Sequence, residues 1–176
     1  MAKTVILTDE KDADLGDADV LAAHTGKGQL HRAFSVYVFR ANRTEILIQQ
    51  RSGSKMLWPL IWANTCCSHP QRGETAEEAG VRRLREELGF ACPLRAGPSF
   101  IYRAEDPAGR GVEHEYVTIL IGEADGDSEP KPDPREVAAW KWVTVEDLLK
   151  NFQEHPTLYA PWFVEGMDRL AEGIRD

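Results

Sequence analysis

The run Asn64-Thr65-Cys66-Cys67-Ser68-His69-Pro70 sets a thiol two residues from an imidazole, just upstream of an acidic helical pattern. Farther along, Glu113-His114-Glu115 adds a pair of carboxylates. A thiol and a carboxylate on opposite sides of one small substrate can put a proton on one carbon and take one from another, provided a metal ion fixes their geometry. Residues so far apart in the chain meet only if the fold brings them together.

The positioning elements are partly legible. Ala33 to Arg40 is rich in Val, Phe and Tyr, Ala41-Asn42-Arg43-Thr44 interrupts it, and Glu45 to Gln50 resumes a strand-like run, which reads as a hairpin. Thr75 with Glu78 predicts a capping box, and Val81, Leu84 and Leu88 recur at helical spacing until Gly89. Val112 to Ile121 is the longest strand candidate, and its period of two puts Glu113 and Glu115 on one face. The proline-rich stretch from Asp125 to Pro134 reads as a surface loop, Trp140 to Val143 as a strand, and Thr144 with Asp147 as the cap of a helix through Leu149. Asp9 to Asp19 reads as a solvated loop or short edge segment within a polar N-terminal stretch, 1–20. Strands dominate with helices inserted, the mark of an α+β fold.

Composition bounds the function. The chain has 176 residues, the size of a single domain spanning 1–176. A net charge of -8 and a pI near 5.2 argue against nucleic acid as a partner, while a local group of Arg and Lys can still receive a small anion. No stretch approaches the roughly 20 apolar residues of a membrane span, and Met1 to Leu7 lacks the pattern of a signal peptide. Three cysteines, two of them adjacent, make a poor disulfide framework, so reduced thiols and a cytoplasmic location are expected.

Arg82-Arg83-Leu84-Arg85-Glu86-Glu87-Leu88-Gly89-Phe90 resembles the end of a Nudix box, Arg-Glu-apolar-x-Glu-Glu-x-Gly-apolar. It departs at two places: Arg83 stands where the box has a metal-binding Glu, and Ser68 where its leading Gly would be. A cation in place of a metal-binding carboxylate works against hydrolysis. Arg83 and Glu87, four apart, share a flank of the helix. Together with Cys67-Ser68-His69-Pro70 and Glu113-x-Glu115, the chain resembles the type I isopentenyl-diphosphate delta-isomerases, which have the Nudix fold. The resemblance runs from about Ala22 to Val164 and includes Ala22-Ala23-His24-Thr25, Leu30-His31-x-Ala33-Phe34-Ser35, Arg51-x-x-Ser54-Lys55, Trp58-Pro59, Trp62-x-Asn64, Tyr102-Arg103-Ala104-x-Asp106-Pro107 and Pro161-Trp162.

The resemblance implies an α/β/α sandwich with a mixed central sheet. It also implies a divalent ion (Mn²⁺, Mg²⁺ or Zn²⁺) held by His24, His31, His69, Glu113 and Glu115, with His114 and His155 left structural. Cys67 matches the catalytic thiol. Cys66 cannot share its direction, because neighbours in an extended segment face opposite ways. Arg51, Lys55 and Arg83 match positions that contact a diphosphate, and Glu87 a ligand to a second, substrate-bridging Mg²⁺. A basic position seen in some relatives is Val20 here, which bears on how tightly the diphosphate is held.

The implied reaction converts isopentenyl to dimethylallyl diphosphate. The resemblance makes Glu115, hydrogen-bonded by Tyr102, the acid side, Cys67 the base side, and Trp162 an aromatic face for the cationic intermediate. Trp58 and Trp62 read as pocket wall or core. The implied partner is a small prenyl diphosphate, for a monomer or homodimer. Two alternatives stay open: a Nudix hydrolase of a nucleoside or prenyl diphosphate, and a non-catalytic Nudix-like binding module.

Overall fold

Strands that read as nearly continuous apolar runs belong inside a sheet covered on both faces, and in the computed structural model they lie there. The structure describes residues 3–126 and 128–172; Met1 and Ala2 of the expected polar segment, Asp127 of the expected loop, and 173–176 lie outside the described residues. β3 (His31–Arg40) is the organising strand. It runs parallel to β8 (Val112–Glu123), pairing His31 with Glu115 through Phe39 with Glu123. It is antiparallel to β6 (Cys66–Ser68), with Ser35 opposite Cys67. At its far end it forms the expected hairpin with β4 (Glu45–Arg51), pairing Phe39 with Ile46 and Arg40 with Glu45.

The sheet is mixed. β1 (Thr4–Thr8) and β2 (Asp14–Asp19) extend one edge, β5 (Trp62–Ala63) and β9 (Val137–Thr144) pair with β4, and β7 (Leu94–Glu105) pairs antiparallel with β8. Alternate residues feed two cores. Ala33, Tyr37 and Phe39 of β3 pack with Val117, Ile119, Trp162 and Phe163 on one face; Phe34, Val36 and Val38 pack with Leu84, Leu88 and Cys66 on the other. The first face is covered by α3 (Val145–Glu154) and α4 (Pro161–Glu172), the second by α2 (Ala76–Leu88). The result is the expected α/β/α arrangement.

Local chemistry explains the ends of α2. Thr75 Oγ1 accepts from the Glu78 amide at 3.2 Å and Glu78 Oε2 accepts from the Thr75 amide at 2.9 Å, closing the predicted capping box. Gly89 ends the helix at φ 68°, a left-handed position where a Cβ would come within 2.6 Å of the Lys131 carbonyl oxygen.

Several elements carry no plain mark in the sequence, among them β1, β7 and α4. β1 buries Val5 and Ile6 inside the stretch expected to be polar. β7 contains Gly97-Pro98, a pair that ordinarily argues against a strand, and absorbs it as a register shift between Ala96 and Ser99. α4 begins at Pro161. The acidic stretch takes the edge-strand option as β2, and α3 runs on to Glu154, past the expected Leu149.

Two contacts fix the layers that matter for the site. Gly166 of α4 lies against Tyr37 of β3, where an added Cβ would sit on the hydroxyl and 2.8 Å from Cζ. Alanine gains about 1 kcal/mol of helix propensity over glycine, but overpacking costs about 1–3 kcal/mol. Gly166→Ala should therefore lower stability in denaturant unfolding.

Asp106 is buried and accepts from the Trp58 amide at 2.8 Å, the Ala108 amide at 2.9 Å and Arg110 at 2.8 and 2.9 Å. It thereby holds Trp58 at φ 43°. Burial pushes its carboxyl pKa up, and Arg110 with the two amides outweighs that, bringing it down to about 2. A carboxylate with a depressed pKa stabilises the fold above its ordinary value and loses that contribution as pH falls from about 4 toward 2. Asp106→Asn should cost about 2 kcal/mol at pH 7 and flatten the stability profile in that acid window, read by unfolding at a series of pH values.

Candidate active site

The parallel register of β3 and β8 sets His31 directly beside Glu115 on one face of the sheet. His24 enters from the end of the short helix α1 (Val20–Ala23), whose N-terminus is capped by the Asp19 carboxylate, and His69 follows β6. The four side chains offer ligand atoms that all lie within 4.8 Å of one another. His31 Nε2 is 3.1 Å from His69 Nε2, and Glu115 Oε1 is 3.1 Å from His69 Nε2 and 3.7 Å from His31 Nε2. Glu113, two residues before Glu115, stands outside this group of four but reaches His24 Nε2 at 3.1 Å through Oε2.

The donors are oriented from behind. His24 Nδ1 and His31 Nδ1 each lie 2.7 Å from a backbone carbonyl, of Val20 and Gln29 respectively. Donating there fixes each ring with its Nε2 toward the centre, the nitrogen that an ion would take in place of a proton. Two imidazole nitrogens 3.1 Å apart repel unless a proton or a cation sits between them. Glu113 Oε2 is buried and, although 3.1 Å from His24 Nε2, accepts no aligned hydrogen bond. Convergent imidazoles, carboxylates and an orphaned oxygen fit a divalent ion.

Charge follows the same pattern. Burial works against ionisation of Glu115, but the His31 and His69 imidazoles beside it hold it well below the ordinary carboxylate range. Burial lowers the pKa of His69. His24 is lowered by burial too, but the Glu113 carboxylate outweighs this and raises it to about 9.

On the same face, Cys67 Sγ donates to Asn64 Oδ1 at 3.0 Å and lies 3.4 Å from Ser35 Oγ. The Asn64 amide cannot turn, because its nitrogen donates to Val36 O and Cys66 O, both at 3.0 Å. Cys66 points the other way, fully buried beneath α2. Burial pushes the Cys67 thiol up to about 12, against the pull of Ser35 and Asn64, so the sulfur carries its proton.

Tyr102 of β7 is the register partner of Glu115, yet its buried hydroxyl makes no hydrogen bond. The expected bond from Tyr102 to Glu115 is therefore not formed, although burial and the charges of Glu113 and Glu115 all raise the phenol. Trp162 meets Trp58 edge-on at 5.3 Å and Tyr102 at 6.1 Å, and the Arg51 guanidinium lies 5.3 Å above its ring. Arg51 also donates to the carbonyls of Trp58 and Leu57 at 3.1 and 2.9 Å.

Lys55, Arg83 and Glu87 form a separate group. Lys55 pairs with Glu136, and Arg83 pairs with Glu86 at 2.6 Å, with Glu87, and with Glu136 at 3.5 Å. Glu87 is buried and accepts from Gln49 Nε2 at 3.1 Å. Glu136, Gln49 and the orienting roles of Asn64 and Ser35 were not anticipated. A glutamine after Ile46-Leu47-Ile48, buried where apolar residues are the rule, was the one available signal.

Residues 29–163 match the family model of the NUDIX domain. A Deinococcus radiodurans crystal structure superposes with a TM-score of 0.68 at 22% identity, covering 87% of this chain and 90% of that one, a likeness of fold. The isopentenyl-diphosphate Delta-isomerase of Nocardia farcinica is 45% identical over 173 residues, covering 98% of this chain and 97% of its own. The chain belongs to the isopentenyl-diphosphate Delta-isomerase family. The relative of the same description from Halorhodospira halophila is 42% identical over 159 residues, 90% of each chain.

Membership in this family bears on the degenerate Nudix box. The guanidinium of Arg83 fills the space between Glu86 and Glu87 that adjacent metal-binding carboxylates would leave to cations. Among the described residues, the cluster with metal-ligand geometry lies at the histidines instead. No helix of the described residues is long and apolar enough to cross a membrane.

Proposed function

We propose that the chain converts isopentenyl diphosphate into dimethylallyl diphosphate, in the cytoplasm, as a monomer or homodimer. The observation that carries this reading is the shared sheet face of Cys67, Glu115 and Tyr102 beneath an aromatic wall, in a chain of this family. His24, His31, His69, Glu113 and Glu115 would hold a divalent ion, Mn²⁺, Mg²⁺ or Zn²⁺, and Glu87 a substrate-bridging Mg²⁺. When bound, such ions supply fixed positive charge that orders carboxylate and diphosphate oxygens.

Arg51, Lys55 and Arg83 bind the diphosphate, the two arginines through paired donors. Glu115 gives a proton to the terminal alkene carbon, leaving a carboxylate and a tertiary cation, with the unpartnered Tyr102 hydroxyl on the neighbouring strand as a donor available to that carboxylate. Trp162 turns its π face to that cation, worth about 0.5–2 kcal/mol when desolvated. Cys67, as thiolate, removes a proton from the carbon beside the diphosphate-bearing one, and the new double bond forms. Trp58, Tyr102 and Trp162 are all buried and keep water from trapping the cation.

One forward turnover ends with a carboxylate and a thiol, the protonation pair that burial and the histidines favour at rest. Glu115 must then regain a proton and Cys67 shed one in each cycle, by exchange with solvent. In heavy water with Mg²⁺ and isopentenyl diphosphate, mass spectrometry should find deuterium in the dimethylallyl product. Unlabelled product would remove solvent-exchanging groups from the mechanism. Release of phosphate or diphosphate at a comparable rate would replace the isomerase reading with hydrolysis.

A further inference from the structure

Lys55 and Arg83 do not wait for an anion with free donors. Both point at one carboxylate: Lys55 Nζ is in direct contact with Glu136 Oε2, and Arg83 Nη2 lies 3.5 Å from the same oxygen. Glu136 is brought there by the segment that closes the C-terminus of α2. Lys131 N donates to Leu88 O at 2.8 Å and Asp133 N to Glu87 O at 2.9 Å. The Glu136 carbonyl then accepts from Ser52 N at 3.0 Å, and the Arg135 carbonyl accepts from Ser54 Oγ at 3.1 Å. The loop bearing Lys55 is thus stitched to the segment bearing Glu136.

Glu86, Glu87 and Glu136 surround these two cations, and Glu86 is shared with Arg82, itself paired with Glu74, so four carboxylates meet three cations and the group as it stands carries net negative charge. Glu86, Glu87 and Glu136 are not equivalent. Glu87 is 2% exposed and held by Gln49, and Glu86 touches arginines alone. Glu136 bridges both cations and its side chain remains about a quarter exposed, within reach of an incoming anion. Arg83 Nε is buried and has no hydrogen-bond partner, a donor still lacking an acceptor.

We propose that Glu136 is a displaceable internal anion that occupies the cations of the diphosphate subsite and must yield them when substrate binds, so that it sets the affinity of that subsite. This rests on the reading of Lys55 and Arg83 as diphosphate ligands. Arg83 keeps its orientation without Glu136, through Glu86 and Glu87. Lys55 acts as a mobile point charge. Losing the competitor therefore outweighs losing the scaffold. A phosphate group with fewer charges displaces a carboxylate less readily than a diphosphate does, which makes Glu136 a determinant of specificity as well.

The test is calorimetric titration of inorganic diphosphate, with Mg²⁺, into the full chain and into Glu136→Gln and Lys55→Gln, with thermal melts confirming that each variant is folded. Glu136→Gln keeps the size of the side chain and removes its charge. It should bind diphosphate about tenfold more tightly, the effect of one charge-assisted hydrogen bond no longer in competition. Lys55→Gln should bind it more weakly. If Lys55→Gln weakens binding while Glu136→Gln leaves it unchanged or weakens it, Glu136 is a scaffold and the proposal fails. If Lys55→Gln binds as the parent does, the subsite reading itself fails, and the role of Glu136 with it.

Discussion

Cys67→Ser should lose about 10²- to 10⁴-fold in turnover, the range that one general acid or base supplies, while keeping fold and metal content. A hydroxyl fits between Ser35 and Asn64 as the thiol does, at neighbours 3.4 and 3.0 Å away. What it lacks is acidity: a thiol ionises with an ordinary pKa near 8.5, and serine is far less acidic. Cys66→Ser should act through packing alone, at about 1–3 kcal/mol, since it places a hydroxyl among Phe34, Val36, Leu84 and Leu88. Steady-state kinetics and unfolding curves for the two variants separate these effects. An active Cys67→Ser beside an inactive Cys66→Ser would mean that β6 presents its other face to the substrate.

His31→Ala should abolish metal retention and activity together. The residue is fully buried, its Nδ1 is anchored on Gln29 O, and its Nε2 faces His69 and Glu115. Removing it takes away one of the four convergent donors and frees Glu115 from one of the two histidines that orient it. His155→Ala is the control, since His155 is exposed at the end of α3, outside the cluster. Elemental analysis of the purified proteins reads the result. Equal metal content in His31→Ala and the parent would take His31 out of the site.

What could be read in advance was local. The Thr75–Glu78 box and Gly89 bound α2 because capping is a matter of four or five adjacent residues. The opposite facing of Cys66 and Cys67 follows from the alternation of an extended strand. The histidine cluster has no such local signature. His31, His69 and Glu115 are brought together by the register of β3 against β6 and β8, and His24 by the end of α1, where the His24 carbonyl accepts from Val112 N at 2.8 Å, so only likeness to a family pointed to them. β7 was hidden by Gly97-Pro98, and its loss hid the pairing that sets Tyr102 beside Glu115. Glu136 was invisible for a different reason: an isolated acid after a proline-rich stretch says nothing until the end of α2 and the Lys55 loop are seen to meet it.

The parallel pairing of β3 with β8 also has a kinetic side. Its two strands come from opposite halves of the chain, and parallel partners so distant must close a long loop before any of their contacts can form. Until then His31 and Glu115 are not neighbours, and a ligand that needs the whole cluster has nothing complete to grip. The binding site is therefore born late, after the slow step of folding. Whatever stability a bound ion contributes should appear as slower unfolding rather than faster folding, so that the ion acts as a lock on the finished sheet and not as a nucleus for building it.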